Sequence, residues 1–503
     1  MTDRSPSADK QDSPLDPSPE EIRRWGNAAV ELMAEYLGAV RDRRVYPQTS
    51  AREIREKLER GLPREGADFE RLLETFREVA LPLSRHNGHP RMFGYVQAPG
   101  TAIAALADLL ASTLNANLTA WRSAPAAVEI ERMTIDWIKE IVGFKADAGG
   151  LFVSGGSMAN FAALATARRA KAPEDVSSKG VQSFPRAMRI YVSTETHHSV
   201  AKAAALLGIG RDNVREVAVD ERLKIRIDDL EAKIVEDLSA GHLPFCVVGN
   251  AGTVNTGACD PLREVREIAR RFNLWMHVDA SYGGFAILAS SARKRFEGLE
   301  EADSIALDPH KWLYLPVDCG CVLYCDPQMA RETFAHDAEY TRVMAQEADE
   351  AFAFWDYGPE LSRRFRALKV WMLLKGVGVR ALGEAIEKDL ACARHLEGLV
   401  RASEDFEMLA PVELSIFCFR HVPSRFKLAR GSEEAERRRV DEELDAWNER
   451  LLVELQRDGS SYLSNARVGG RFSLRGCLMN YRTTLHDMEI LLDDLRRLAE
   501  RMR

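Results

Sequence analysis

The stretch GLFVSGGSMANFAALATARRA, residues 150–170, decides the fold. Its opening, GLFVS, is a short apolar run of strand length, and MANFAALATARRA reads as a helix. Between them Ser154-Gly155-Gly156-Ser157 turns the chain. The same order recurs downstream: RIYVS precedes SVAKAAALLG, FCVVGNAGT precedes DPLREVREIARRF, and LWMHVDAS follows. In the helix after FCVVGNAGT, Leu262, Val265, Ile268, Ala269 and Phe272 share one face, with Asp260 and Pro261 opening it. Strands that alternate with helices predict an α/β fold whose mostly parallel sheet is covered on both faces.

Residues 1–17 are rich in Ser, Pro and Asp and are expected to form a disordered tail. Ser18, Pro19 and Glu21 then make a capping box at the head of SPEEIRRWGNAAVELMAEYL, which opens a helical N-terminal segment over 18–88. A large domain over 89–375 follows. After SRRFRALKVWMLLKGVG the pattern changes to a helix and shorter strands such as ELSIFCFR and FSLRGCLMNY, so 376–503 is expected to be a small α+β C-terminal domain.

Composition excludes several functions. The chain has 503 residues, 46% hydrophobic and 29% charged, enough for a large core and more than one domain. A formal net charge of -8, with no Lys/Arg block, argues against a nucleic-acid partner. The N-terminus lacks the apolar core of a signal peptide and no stretch is apolar enough for a membrane span, so a cytoplasmic protein without membrane attachment is expected. The 8 cysteines have no disulfide-like spacing and read as reduced thiols. Cys319, Cys321 and Cys325 fall on one strand face without the second pair that a zinc site needs, and no metal is expected. The charged run 431–451 has Val440, Leu444 and Trp447 at helical spacing and reads as a solvated helix.

Ligands of a parallel sheet gather beyond the carboxyl ends of its strands. There this sequence places the Ser154–Ser157 turn, with amides suited to a phosphate, and His197 with His198 after RIYVS. It also places Asp279 at the end of LWMHVDAS and Lys311 in SIALDPHKWLYLP, residues 304–316. Taken singly, each has a plain structural reading: chain reversal, a packed ring, a paired carboxylate, a lysine stem reaching for water. Taken together they are the parts that hold pyridoxal 5'-phosphate. A lysine bonds the aldehyde, a carboxylate keeps the ring nitrogen protonated, a flat ring covers one face, and fixed donors hold the phosphate.

An ordered series of motifs extends this: RRVYP (43–47), HPRMFGYV (89–96), TAWRSAPAAVEIE (119–131), ETHHSVAKA (195–203), HVDASYGG (277–284), ADSIALDPHKWL (302–313) and SRRFRALKVW (362–371). Over residues 18–480 the chain resembles the group II pyridoxal-phosphate-dependent amino-acid decarboxylases, which include aromatic-L-amino-acid, histidine and glutamate decarboxylases. The resemblance implies a fold-type-I enzyme with a seven-stranded, mostly parallel sheet. It implies a homodimer with active sites at the interface and N-terminal helices that clasp the partner. By the same likeness Lys311 is the cofactor-linking lysine, Asp279 the partner of the ring nitrogen and His197 the stacking histidine. Gly156, Ser157, Ser304 and His310 match phosphate contacts, and Thr253 in AGTVNTG matches a threonine near the cofactor.

The implied reaction is decarboxylation of an L-amino acid to an amine and carbon dioxide. Trp312, together with Phe93, Tyr95, Trp121 and Phe354 as pocket aromatics, points to an aromatic substrate; Arg475 is a candidate for the alpha-carboxylate or for pairing within the small domain. The chain departs from the animal and plant pattern in the stretch 335–360, the expected mobile loop, where Phe354 falls near the position of a proton-donating tyrosine. Tyr357 or Tyr340 then becomes the candidate donor, or the chain is an oxidative variant releasing an aldehyde. Two smaller departures are Ser281 in place of Ala and Asp308 in place of Asn, and the acidic Asp308 is left out of the phosphate set. An acidic substrate, and a non-catalytic regulator that binds the cofactor, are the remaining alternatives.

Overall fold

The computed structural model describes residues 15–58, 60–336, 349–426 and 433–502. Seven strands form the large sheet: β1 (Gly149–Val153), β2 (Met188–Ser193), β3 (Val214–Val217), β4 (Leu243–Asn250), β5 (Trp275–Asp279), β6 (Ser304–Leu307) and β7 (Gly320–Tyr324). Their order is β1-β7-β6-β5-β4-β2-β3, and only β7 runs antiparallel to its neighbours. β1, β2, β4, β5 and β6 therefore end on the same edge. β5 and β7 are buried along their whole length. That is why they read as continuous apolar runs rather than as alternating ones.

The helix Gly156–Lys171 lies against this sheet, with Ala159, Ala162, Ala163, Ala165 and Ala167 all buried. Small side chains there let it pack close to the strands. In the helix Leu262–Arg271, Leu262, Val265, Ile268 and Ala269 are buried as the periodicity predicts. Asp260 does not cap it. Its carboxylate instead accepts from the backbone N–H groups of Ile225 and Asn250, both at 2.8 Å.

The expected capping box is present at the head of the helix Pro19–Gly38, where Glu21 N–H donates to Ser18 Oγ at 3.3 Å and Ser18 N–H to Glu21 Oε2 at 2.9 Å. The second sheet is fully antiparallel and is built from β8 (Phe406–Met408), β9 (Ile416–His421), β10 (Ser464–Val468) and β11 (Arg471–Cys477), in the order β10-β11-β9-β8. Leu396, Trp447, Leu451, Leu474 and Leu491 form a core of their own between this sheet and its helices. The domain boundary expected near residue 376 falls in the last turn of the helix Ala367–Val377. Among the described residues, no helix is long and apolar enough to cross a membrane.

A buried ion pair ties the start of the large sheet to the segments around it. Arg363 and Glu131, both with fully buried side chains, are in contact. Arg363 also donates to the carbonyls of Leu118 at 3.1 Å and Phe152 at 2.9 Å, while Phe152 N–H donates to Glu131 Oε1 at 3.1 Å. Replacing Arg363 by Met leaves Glu131 buried without its cation, a situation that costs about 3–5 kcal/mol. Urea unfolding followed by tryptophan fluorescence is expected to read a loss of that size; a loss below about 1 kcal/mol contradicts this account of the pair.

Candidate active site

A cavity of about 600 Å³ opens where the parallel strands end, lined by Gly156, Ser157, His197, Asp279, His310 and Lys311 among others. Its size suits a small cofactor with its substrate. β1 stops at Val153 and the helix Gly156–Lys171 begins almost at once, with no side chain capping its first turn. The first amides of that helix are left for an anion. A Cβ on Gly156 would lie 2.4 Å from Ser281 Oγ and 2.9 Å from Asp308 Oδ2. Glycine here is a matter of space.

Lys311 follows β6, and its Nζ is 2.8 Å from Asp308 Oδ2 with the side chain only 17% exposed. The snorkelling reading fails, because the ammonium is paired inside the cavity. The segment Trp312-Leu313-Tyr314-Leu315 behind it is buried. Trp312 stacks on Tyr282 with ring centroids 5.0 Å apart, and Tyr314 donates its hydroxyl to Asp389 at 2.8 Å. Trp312 thus supports the wall from behind.

Asp279 is the last residue of β5, and its side chain is held at both oxygens. Oδ2 accepts from Asn160 Nδ2 at 2.8 Å and Oδ1 from Ser281 N–H at 3.1 Å. Burial by itself pushes this pKa up, but donors from Ser281 and Asn160 and the Lys311 ammonium outweigh it, so the carboxyl is held below its ordinary value. His197 packs against His198 with centroids 4.1 Å apart, and its Nδ1 is 2.8 Å from Ser199 Oγ. Burial lowers the pKa of His197 and favours the neutral ring. His310 donates from Nδ1 to the carbonyl of Cys319 at 2.8 Å, leaving its other nitrogen available.

Asp308 Oδ1 is buried with no hydrogen-bond partner. An orphaned oxygen of this kind asks for a ligand that brings polar groups of its own. The uncapped helix start, the sheltered ammonium and the ionised strand-end carboxylate fit a phosphorylated pyridine aldehyde. Asp308, left out of the phosphate set, nevertheless lies in the cavity as the partner of Lys311.

Several other expected residues lie elsewhere. Ser304 stands at the beginning of β6, the opposite end from the cavity, with its hydroxyl bonded to Trp275 Nε1 at 2.8 Å and close to His277 Nδ1 at 2.9 Å. It is therefore not a phosphate contact. Thr253 is buried and turned to Thr256, although its neighbours Gly252 and Val254 do line the cavity. Phe93 is buried against Phe417 in the C-terminal core. Trp121 donates to Glu129 Oε1 at 2.9 Å, away from the cavity. Phe354 is buried beneath the Arg363 guanidinium, 4.2 Å from its ring centroid, and Tyr357 stacks on Phe352 at 5.4 Å. Neither reaches this chain's own cavity, and Tyr340 lies outside the described residues.

Tyr95 does line the cavity, with a left-handed backbone (φ 63°) that few non-glycine residues adopt. Arg475 reaches it too, but donates to the carbonyls of Tyr95, Val254 and Asn255, joining loops rather than pairing with an acid. Asn160 and Ser199 went unread in the sequence. Asn160 lies one helical turn beyond Gly156, so the spacing that puts both on one face was the available signal.

This topology, built around a sheltered lysine and a strand-end carboxylate, is that of the fold-type-I enzymes that work with pyridoxal 5'-phosphate. Within that class the chain belongs to the pyridoxal-dependent decarboxylase family, whose conserved domain matches residues 51–422. It is 36% identical over 483 residues to the aromatic-L-amino-acid decarboxylase of Bacillus atrophaeus, covering 96% of each chain. Among solved structures it is similar to Oryza sativa TDC with PLP and tryptamine (27% identity, TM-score 0.89, 97% of this chain and 99% of that one). It is also similar to Rhodiola rosea 4-hydroxyphenylacetaldehyde synthase (27% identity, TM-score 0.84, 97% and 99%). The protein is a carboxy-lyase acting on amino acids, and its cofactor is pyridoxal 5'-phosphate.

The glycine at the helix start can be tested without turnover. Gly156→Ala puts a methyl into the space of Ser281 Oγ and Asp308 Oδ2 and is expected to weaken cofactor binding at least about tenfold, the scale of overpacking. Absorbance titration of the folded apoprotein, checked by circular dichroism, measures this. Unchanged affinity would show that the cradle lies elsewhere.

Proposed function

We propose that this enzyme decarboxylates an aromatic L-amino acid, releasing the amine and carbon dioxide. The observation that carries the reading is the convergence of Lys311, Asp279 and His197 on one cavity beside the uncapped helix start at Gly156. The aromatic assignment is supported by the relatives named above and by Tyr95 and Tyr282, which are among the residues lining the cavity.

In this reading Lys311 bonds the cofactor, and Gly156, Ser157 and His310 receive its phosphate. Asp279 stays ionised and holds a proton on the ring nitrogen, while His197 covers one face of the ring. Pyridoxal phosphate supplies an electron sink for the pair left when the carboxylate departs as carbon dioxide. Asp308, already paired with the Lys311 ammonium, orients that side chain. Walls of buried backbone and Tyr282 exclude water from the side of the sheet.

We infer further that the enzyme is a cytoplasmic homodimer. Ile22, Val30, Leu72 and Phe76 leave apolar surface exposed on the N-terminal helices, which suits a clasp with a second copy. In such a dimer the segment around Phe352 and Tyr357, both only half-buried, faces the other subunit's cavity, while Phe354 stays packed under Arg363 in its own chain. The protonation step, and with it the choice between amine and aldehyde, is then assigned to that segment.

Incubating the holoenzyme with tryptophan, tyrosine, phenylalanine, histidine and glutamate tests the reading. Carbon dioxide and amine in equal amounts from an aromatic amino acid are expected. Aldehyde and hydrogen peroxide matching the carbon dioxide replace the amine reading with the oxidative one; carbon dioxide from glutamate alone overturns the aromatic assignment.

A further inference from the structure

Behind the cavity, a file of buried polar groups runs from the middle of the sheet to both Asp279 and His197. It begins at Trp275, whose Nε1 donates to Ser304 Oγ at 2.8 Å. His277 stands next, its Nδ1 2.9 Å from the Ser304 hydroxyl and 3.2 Å from the Ser304 carbonyl. Its Nε2 is 2.8 Å from Asn160 Oδ1. Asn160 Nδ2 then donates twice, to Asp279 Oδ2 at 2.8 Å and to Ser199 Oγ at 2.9 Å. Ser199 Oγ lies 2.8 Å from His197 Nδ1, and the Ser199 N–H also points at that nitrogen, at 3.3 Å. His277, Ser304 and Asn160 are essentially inaccessible to solvent, so water does not complete the set.

The direction of every bond in this file follows from its ends. An indole N–H only donates and an ionised carboxylate only accepts. Because Asp279 accepts, the amide NH2 of Asn160 must face it, which turns the Asn160 carbonyl to His277. The His277 Nε2 must then carry a hydrogen. Burial lowers the His277 pKa to about 4, so the ring is neutral and carries one hydrogen; with that on Nε2 the Nδ1 is bare, and its 3.2 Å approach to the Ser304 carbonyl is a contact and not a hydrogen bond. The Ser304 hydroxyl, having accepted from Trp275, gives its hydrogen to that nitrogen. On the other branch the Ser199 backbone N–H can only donate, so His197 Nδ1 is the acceptor, and the Ser199 hydroxyl, which accepts from Asn160, turns its own hydrogen to the same nitrogen. Two donors meeting one ring nitrogen leave it unprotonated.

We propose that Asn160 is the positioning residue of this active site: through its single amide it orients the Asp279 carboxylate and, by way of Ser199, fixes His197 as the tautomer with its hydrogen on Nε2, with His277 and Ser304 holding the amide the right way round. This rests on the reading in which Asp279 meets the ring nitrogen and His197 the ring face. It gives Ser304 a role despite its distance from the phosphate end. It also makes His197 a donor rather than a base at Nε2 while the ring is neutral, so its part in turnover is to cover the ring and offer a hydrogen.

Cofactor affinity of the apoprotein, read by absorbance titration, is measured apart from any substrate. Asn160→Ala is expected to weaken binding about ten- to a hundredfold, the scale of one hydrogen bond to a charge. Asn160→Asp sets a second carboxylate against Asp279, so it is expected to bind more weakly still near neutral pH and to recover as the pH falls and the pair takes up a proton. His277→Gln can both accept from Ser304 and donate to Asn160, whereas His277→Phe fills similar space and does neither. Near-native affinity for Gln with a clear loss for Phe supports the file; equal affinity for Gln and Phe overturns it as a mere packing element. Nitrogen NMR of histidine-labelled apoprotein supplies a readout that needs no variant to fold. A bare Nδ1 and protonated Nε2 on His197 are expected at neutral pH, and the opposite tautomer contradicts the proposal.

Discussion

The structure depends on keeping a negative charge at the end of a buried strand. Asp279 closes β5 in the middle of the large sheet, where an unpaired carboxylate costs several kcal/mol to desolvate. Two fixed donors and a nearby ammonium offset that cost and keep the group ionised. Much else follows from supplying them. Asn160 must stand one turn into its helix, the helix must begin at Gly156 directly after β1, and the Ser281 backbone must turn back toward the strand end.

The lysine faces a different problem, because it must be sheltered yet free at its tip. The fold anchors the chain just behind it and leaves the ammonium to Asp308. Trp312 is clamped on Tyr282 and Tyr314 on Asp389, a buried carboxyl whose pKa burial raises to about 7. The Tyr314 contact links the Lys311 segment to the helix Val379–Ala402 and thus to the C-terminal region that carries the second sheet. The second sheet thereby helps set where Lys311 stands. Arg475 adds to the link from β11, by holding the carbonyls of the loops that carry Tyr95 and Asn255.

Local signals in the sequence carried the alternation of strands and helices, and with it the edge on which ligands collect. They also carried Lys311, Asp279 and His197, because charged or polar residues directly after apolar strands stand out. The place of β7 was not legible: it enters between β1 and β6, and the spatial order of strands is not a local property. Ser304 was misread because a motif match says nothing of which end of a strand a residue occupies. Phe93 and Phe354 were taken for pocket residues, yet an aromatic ring carries no mark that separates a core position from a lining one. Asn160 was overlooked for the opposite reason, since a single amide inside an Ala-rich helix looks like a minor polar interruption until both of its partners are seen.

All of these features serve one claim, that Lys311 bonds the cofactor in a site built around Asp279. The most direct measurement is borohydride reduction of the holoenzyme, followed by digestion and mass mapping of the modified peptide. The account predicts a pyridoxyl-phosphate group on Lys311, in the peptide containing SIALDPHKWLYLP. The same group on any other lysine, with Lys311 unmodified, would contradict it.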